Sequence, residues 1–272
     1  LFDPNDGVKD LKEGKINFIG NAETRIKEDY LRILRYLRFF ANYSKKDHNQ
    51  IIQRIIKQNI SGIANLSKER LLDELRKLIL SPGFFNIPKN KFSRELFLLI
   101  FPQLSNIDIF KKLNKFSLKI LSKKNFEFFL SLLVIDETDN SEYFLYKYNV
   151  SNEIKKKVIF LKKIFDQGFD QKTFLKNNLE KIFYYYDKDN LIDLIDFYLI
   201  KFNKKSKKII ELKNYFEKKE KPQFPINTKE LMEKYNLKEG RDLGQKLKNL
   251  EEIWVKNSFK ISKSEIDKVF SN

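Results

Sequence analysis

Four of the chain's nine arginines stand between residues 25 and 38, in Arg25-Ile-Lys-Glu28-Asp29-Tyr-Leu-Arg32-Ile-Leu-Arg35-Tyr-Leu-Arg38-Phe-Phe. Lysine outnumbers arginine 45 to 9 elsewhere and here together, so the local preference for arginine is specific. A planar guanidinium beside a carboxylate offers donors and acceptors at fixed spacing, a pattern that matches the edge of a nucleobase. The same residue types also make a plain solvated face, and Glu28–Arg32 has the i,i+4 spacing of an ordinary helical ion pair. Spacing alone leaves both uses open.

The element that must position these groups is a helix. At about 100° per residue, Arg25, Glu28, Asp29, Arg32 and Arg35 share an arc of roughly 120°, with Arg38 towards its edge. Ile26, Tyr30, Ile33, Leu34, Leu37 and Phe40 fall on the opposite face as a core-facing stripe. One continuous helix is therefore expected through residues 25–40, capped by Asn21.

The stretch Arg25-Ile-x-Glu28-Asp29-x-Leu-Arg32-x-Leu-Arg35-x-x-Arg38-Phe resembles the nucleotide-selecting motif of class II tRNA nucleotidyltransferases. These are the CCA-adding enzymes, with bacterial poly(A) polymerases as close relatives. Three further stretches follow the family's order. Asp3-Pro-x-x-Gly7-x-x-Asp10-Leu11 is similar to the flexible motif before it, and Ser67-x-Glu69-Arg70-x-x-x-Glu74-Leu75 to the motif after it. Phe224-Pro225-Ile226, Asp242-Leu-Gly244-x-x-Leu247 and Trp254 are similar to the tail of many CCA-adding members.

The resemblance implies roles. Asp29 and Arg32 would pair with incoming CTP and then ATP, with Arg35 and Arg38 also at the nucleotide. Arg25, Glu28, Glu69, Arg70 and Glu74 would support that site, Glu28 by orienting Arg32. The partner would be tRNA, and the setting a bacterial cytoplasm or a mitochondrion. The family's Mg²⁺-binding aspartates belong to a catalytic head whose motif does not occur in these residues. The chain, which starts without methionine, reads as the neck, body and tail of a longer enzyme, inactive alone. Trp254 in the tail favours CCA addition over poly(A) synthesis. A non-catalytic helical RNA-binding module is the rival from another class.

Composition agrees with a folded helical protein. In 272 residues, 42% are hydrophobic and 14% aromatic, with only eight glycines and six prolines. There is no cysteine, which excludes disulfides and thiolate metal sites. No uncharged run reaches the length of a membrane span. A net charge of +17 points to an anionic partner such as nucleic acid.

The expected fold is mainly all-α, with a short β remnant at the N-terminus. Residues 1–20 read as the end of another domain, where 15–20 alternate like a strand and Asp3, Asp6 and Asp10 suit turn and helix caps better than a metal. Residues 21–82 read as a helical neck, with a second helix over 49–57 and a third capped by Ser67. His48, the one histidine, lies in a polar turn and is expected to be exposed. Residues 83–165 read as a body with helices near 93–100, 107–113, 126–135 and 141–148. Residues 166–272 read as a Lys-rich tail. There Tyr184–Tyr186 and the lysines of 201–219 are either an RNA surface or a solvated one, and Gly240 and Gly244 permit close backbone approach.

Overall fold

The computed structural model describes residues 3–169, 173–203 and 206–270, and these form two compact units, Leu1–Gln167 and Gly168–Asn272. Among the described residues there are helices and no strands. The first unit contains α1 (Gly7–Glu13), α2 (Ala22–Glu28), α3 (Leu31–Tyr43), α4 (Gln50–Asn59) and α5 (Lys68–Ile79). It continues with α6 (Lys91–Ile100), α7 (Lys115–Leu121), α8 (Phe126–Val134), α9 (Asn140–Lys147) and α10 (Asn152–Asp166). Tight 3₁₀ turns at Ile60–Asn65, Pro82–Lys89 and Ser105–Lys112 connect them.

Local capping explains most of the starts. Asn21, Asn49 and Ser67 accept the N–H groups of Thr24, Ile51 and Arg70, which helix geometry leaves without intrahelical partners. Asp3 does the same for Gly7 and Val8 ahead of α1, at 2.9 and 2.8 Å. The core of the unit lies around α8, all nine of whose residues are buried. Its two polar residues are buried with the rest, Glu127 paired with Arg76 at 3.3 Å and the Ser131 hydroxyl donating to the Glu127 carbonyl at 2.8 Å. Phe84, Phe85, Phe110 and Phe129 meet edge-on, tilted or stacked around it, with centroids 5.1–6.3 Å apart. The 3₁₀ turn Pro82–Lys89 packs directly on α3, because Gly83 lets the two backbones meet: a Cβ there would lie 2.5 Å from the Ala41 carbonyl.

Two sequence expectations fail here. Residues 15–20 form no strand. Their backbone joins no ladder among the described residues, so they stay irregular, with the Phe18 ring stacked on Tyr36 at 5.4 Å. His48 is buried, at 5% exposure, rather than exposed. Its ring stacks on Phe40 at 3.3 Å between centroids, Nδ1 meets the Tyr36 hydroxyl at 2.9 Å and Nε2 the Ser93 hydroxyl at 2.8 Å. Burial holds the imidazole down at about 4, so it is neutral.

The second unit contains α11 (Lys176–Tyr186), α12 (Lys188–Lys201), α13 (Lys207–Lys218), α14 (Thr228–Tyr235), α15 (Arg241–Lys256) and α16 (Lys263–Phe270). Trp254 anchors it, within 5.0–5.3 Å of the rings of Tyr184, Phe224 and Phe259. Leu231, Leu243, Leu250 and Phe270 close a separate apolar cluster among α14–α16. Gly240 and Gly244 are not points of close packing, since a Cβ at either would meet nothing within 4 Å.

Candidate nucleotide-selecting site

The arginine-rich stretch is two helices, not one. The backbone leaves helical geometry at Asp29 (φ −154°, ψ 104°) and resumes at Leu31. An aspartate competes well for local N–H groups, and here Asp29 Oδ1 accepts from Leu31 N at 3.1 Å while its carbonyl accepts from Arg32 N at 3.0 Å. Two groups distant in sequence hold the break. Arg70 of α5 donates through Nη2 to both Asp29 oxygens, at 3.1 and 2.9 Å. Tyr30 lies against Gly62, where a Cβ would come within 2.1 Å of the ring. The apolar stripe survives the break: Ile26, Ile33, Leu34 and Leu37 are fully buried and Phe40 is nearly so.

The predicted charged arc is thereby divided into three linked groups. Arg32 reaches back across the break and donates through Nη1 to the Arg25 carbonyl at 2.6 Å and to Glu28 Oε2 at 2.7 Å. Arg25 donates to the same Glu28 oxygen at 2.5 Å. The Arg32 hydrogen bond, aided by the Arg25 charge, holds the Glu28 carboxyl below the ordinary range. Both Arg32 bonds use Nη1, which leaves the side-on fork of Nε and Nη2 outside this cluster. The second group is Asp29 with Arg70.

The third group is built on Glu74, buried on α5, which accepts from Arg38 Nε at 2.6 Å and lies 3.7 Å from Arg35 Nε. Glu69 is exposed in the first turn of α5. Arg25, Arg32 and Arg35, with Tyr36 and Phe39 of α3, line a pocket of about 240 Å³ whose second wall is Ile16, Asn17, Phe18 and Ile19. The second wall escaped sequence reasoning, which took residues 15–20 for a strand. Its alternation of apolar side chains with Asn17 was the visible signal.

Among the described residues, no three His, Asp or Glu side chains converge as a metal site. The carboxylates of Glu28, Asp29 and Glu74 are each bonded to arginine, so this donor set does not fit Mg²⁺. No helix among the described residues is long and apolar enough to cross a membrane.

In the second unit, several lysines serve the fold. Lys213 is bonded to buried Asp196 at 2.7 Å and Lys219 to buried Glu180 at 2.7 Å. The Tyr184 hydroxyl donates to Glu251. Tyr185 and Tyr215 keep exposed rings, with Lys176 4.5 Å above Tyr215. Lys204 and Lys205 lie outside the described residues.

Residues 52–107 match the family described as "Probable RNA and SrmB-binding site of polymerase A". The mouse mitochondrial CCA tRNA nucleotidyltransferase 1 is 27% identical over 98% of this chain and 60% of its own length. The CCA-adding enzyme of Lactococcus lactis subsp. cremoris SK11 is 27% identical over 96% and 62%. The chain thus spans about three-fifths of these relatives. Among solved structures, the Bacillus stearothermophilus CCA-adding enzyme in complex with CTP shares the fold, with a TM-score of 0.63 at 15% identity over 94% of this chain and 65% of that one. Its motifs, its helical architecture and these relatives agree in likening the chain to CCA-adding enzymes and poly(A) polymerases.

Proposed function

We propose that the chain is the nucleotide-selecting and tRNA-holding part of a CCA-adding nucleotidyltransferase. The observation that carries this reading is the α2–α3 junction. There Arg32 is anchored through Nη1 with its Nε–Nη2 fork outside those bonds, the Asp29 carboxylate is held by Arg70, and Arg32 lines a pocket together with Arg25 and Arg35. In this reading Asp29 accepts from the exocyclic amine of cytosine or adenine, and Arg32 donates to the neighbouring ring nitrogen or carbonyl oxygen. Uracil and guanine carry a carbonyl where the amine should be, so both protein groups would lose their partners. Arg35 and Arg38 add positive charge for the phosphates, and Arg70, Glu74 and Glu28 hold the reading groups in place.

Exposed lysines would hold the tRNA acceptor arm by phosphate contacts rather than by sequence. Nucleotidyl transfer in this family relies on Mg²⁺, for which the described residues supply no site. The chain by itself is therefore expected to bind nucleotides without joining them.

Two measurements test the reading. Calorimetric titration of the chain should give binding of CTP and ATP, weaker binding of UTP and GTP, and loss of that preference in Asp29→Ala and Arg32→Ala. Joined to a catalytic head from a relative, the chain should extend tRNA lacking its 3′ end by C, C and A and then stop. The matched model's description favours a second reading, a poly(A) polymerase, which would give a long adenosine ladder instead. RNA binding with no preference among nucleotides would leave only a helical RNA-binding module.

A further inference from the structure

The outward face of α3 changes character along its length. Arg32, Arg35, Phe39 and Tyr43 follow one another at helical spacing of three, four and four residues, so they form one stripe roughly 16 Å long. Its first half is cationic. Its second half is aromatic and open to solvent, with Phe39 42% and Tyr43 49% exposed.

The two rings lie 27° from parallel with centroids 6.2 Å apart, too far for face-to-face contact, so they are offset and form a shelf. The Arg38 guanidinium, fixed by Glu74, sits 4.6 Å from the Phe39 ring centre and holds that ring in place. Beside the shelf is a depression of about 670 Å³, where Leu11, Phe18 and Ile19 alternate with the polar groups of Asp10 and Asn17. Exposed Lys45 and Lys46 follow α3 directly. Along the chain the rings have cations on both sides, Arg32 and Arg35 before and Lys45 and Lys46 after, with Lys45 Nζ donating to the Lys12 carbonyl at 3.1 Å.

We propose that Phe39 and Tyr43 are a stacking shelf for the 3′-terminal base of single-stranded RNA. An apolar protein partner would meet this charge at a desolvation cost, whereas an RNA end supplies phosphates for the cations and a flat π face for the rings. The inference rests on the nucleotide-selecting reading of Arg32. With the incoming base at Arg32, the next flat surface along the stripe is Phe39, two turns on, and the last base of the RNA being extended occupies it. Stacking accepts any base, so the shelf tolerates each successive 3′ end as it changes.

The test uses the whole chain and short RNAs carrying 2-aminopurine at the 3′ end or at an internal position. The terminal probe should be quenched on binding and the internal one much less so. Phe39→Leu and Tyr43→Leu should each relieve the quenching and weaken binding by roughly 5- to 150-fold. Phe39→Tyr should keep both, and an RNA with an abasic 3′ end should bind the parent chain as weakly as the Leu variants bind the intact RNA.

Unchanged RNA affinity and quenching in both Leu variants would overturn the inference. So would a loss confined to free CTP, which would give the rings to the incoming nucleotide. Self-association of the parent chain that the Leu variants abolish, with RNA binding untouched, would make the shelf a protein surface. CTP titration against Arg32→Ala is the separate arm. If that variant binds CTP normally while the shelf behaves as stated, the nucleotide-selecting reading fails and the RNA shelf does not.

Discussion

Replacing Glu74 should loosen the platform on which α3 stands. Glu74 is 1% exposed, and its carboxylate accepts from Arg38 Nε at 2.6 Å with Arg35 Nε 3.7 Å away. Removing one partner of a buried pair costs about 3–5 kcal/mol, because a charge is left without a counter-charge. Arg38 still reaches water, with 22% of its side chain exposed, so Glu74→Ala should cost somewhat less than that, about 2–3 kcal/mol.

Glu74→Gln keeps shape and an acceptor oxygen but converts a charged hydrogen bond into a neutral one, a loss of about 1–1.5 kcal/mol. The double variant Arg38→Met with Glu74→Leu should be less damaging than Glu74→Ala, since no charge is stranded. The single tryptophan, Trp254, lies in the other unit, so its fluorescence is the wrong reporter. Urea unfolding followed by far-UV circular dichroism, with hydrogen exchange resolved on α3 and α5 peptides, is the suitable assay. Equal effects of Gln and Ala, or both below about 0.5 kcal/mol, would refute the argument that this carboxylate charge holds α3.

Other substitutions probe separate features. The native His48 ring is neutral with its value lowered from 6.5 to about 4, while the unfolded chain takes up a proton below about pH 6.5. Stability should therefore be full above pH 6.5, fall by up to about 3 kcal/mol as the pH drops towards 4, and level off below. His48→Gln should remove that part of the slope, measured as urea unfolding at pH 7 and 4.5; an identical slope would count against it. Gly62→Ala drives a methyl to 2.1 Å from the Tyr30 ring, and should cost about 1–3 kcal/mol and blunt the CTP preference. Adding Tyr30→Leu should recover stability, read as the urea midpoint. Lys219→Met strands the buried Glu180 carboxylate and should cost about 3 kcal/mol with little change in the salt dependence of RNA binding. Lys208→Met, at an exposed site, should do the reverse.

Helix starts were legible because capping is local chemistry: an Asn or Ser ahead of an apolar stripe suffices, as at Asn21 and Ser67. The break at Asp29 was not, because the stripe keeps its phase across it and neither Asp29 nor Tyr30 forbids a helix. Its causes, Arg70 and Gly62, lie more than thirty residues away. The same holds for His48, whose neighbours in sequence are polar and whose neighbours in space are Phe40 and Phe92. Glu74 and Arg70 were recognisable by motif. Which arginine or carboxylate each would hold was settled only by the packing of α5 on α3.

The anchoring of Arg32 through one nitrogen has an energetic consequence for any ligand of its other edge. An arginine side chain free in solvent carries roughly 2 kcal/mol of rotamer entropy. Here that freedom is lost when the chain folds, because Glu28 and the Arg25 carbonyl fix Nη1 before a base arrives. A base meeting Nε and Nη2 thus meets a fork already stilled, and its hydrogen bonds are not offset by the ordering of the side chain that makes them. Glu28, which never needs to touch the ligand, then governs affinity through entropy. Its loss should appear in calorimetry as a less favourable entropy of binding at nearly constant enthalpy.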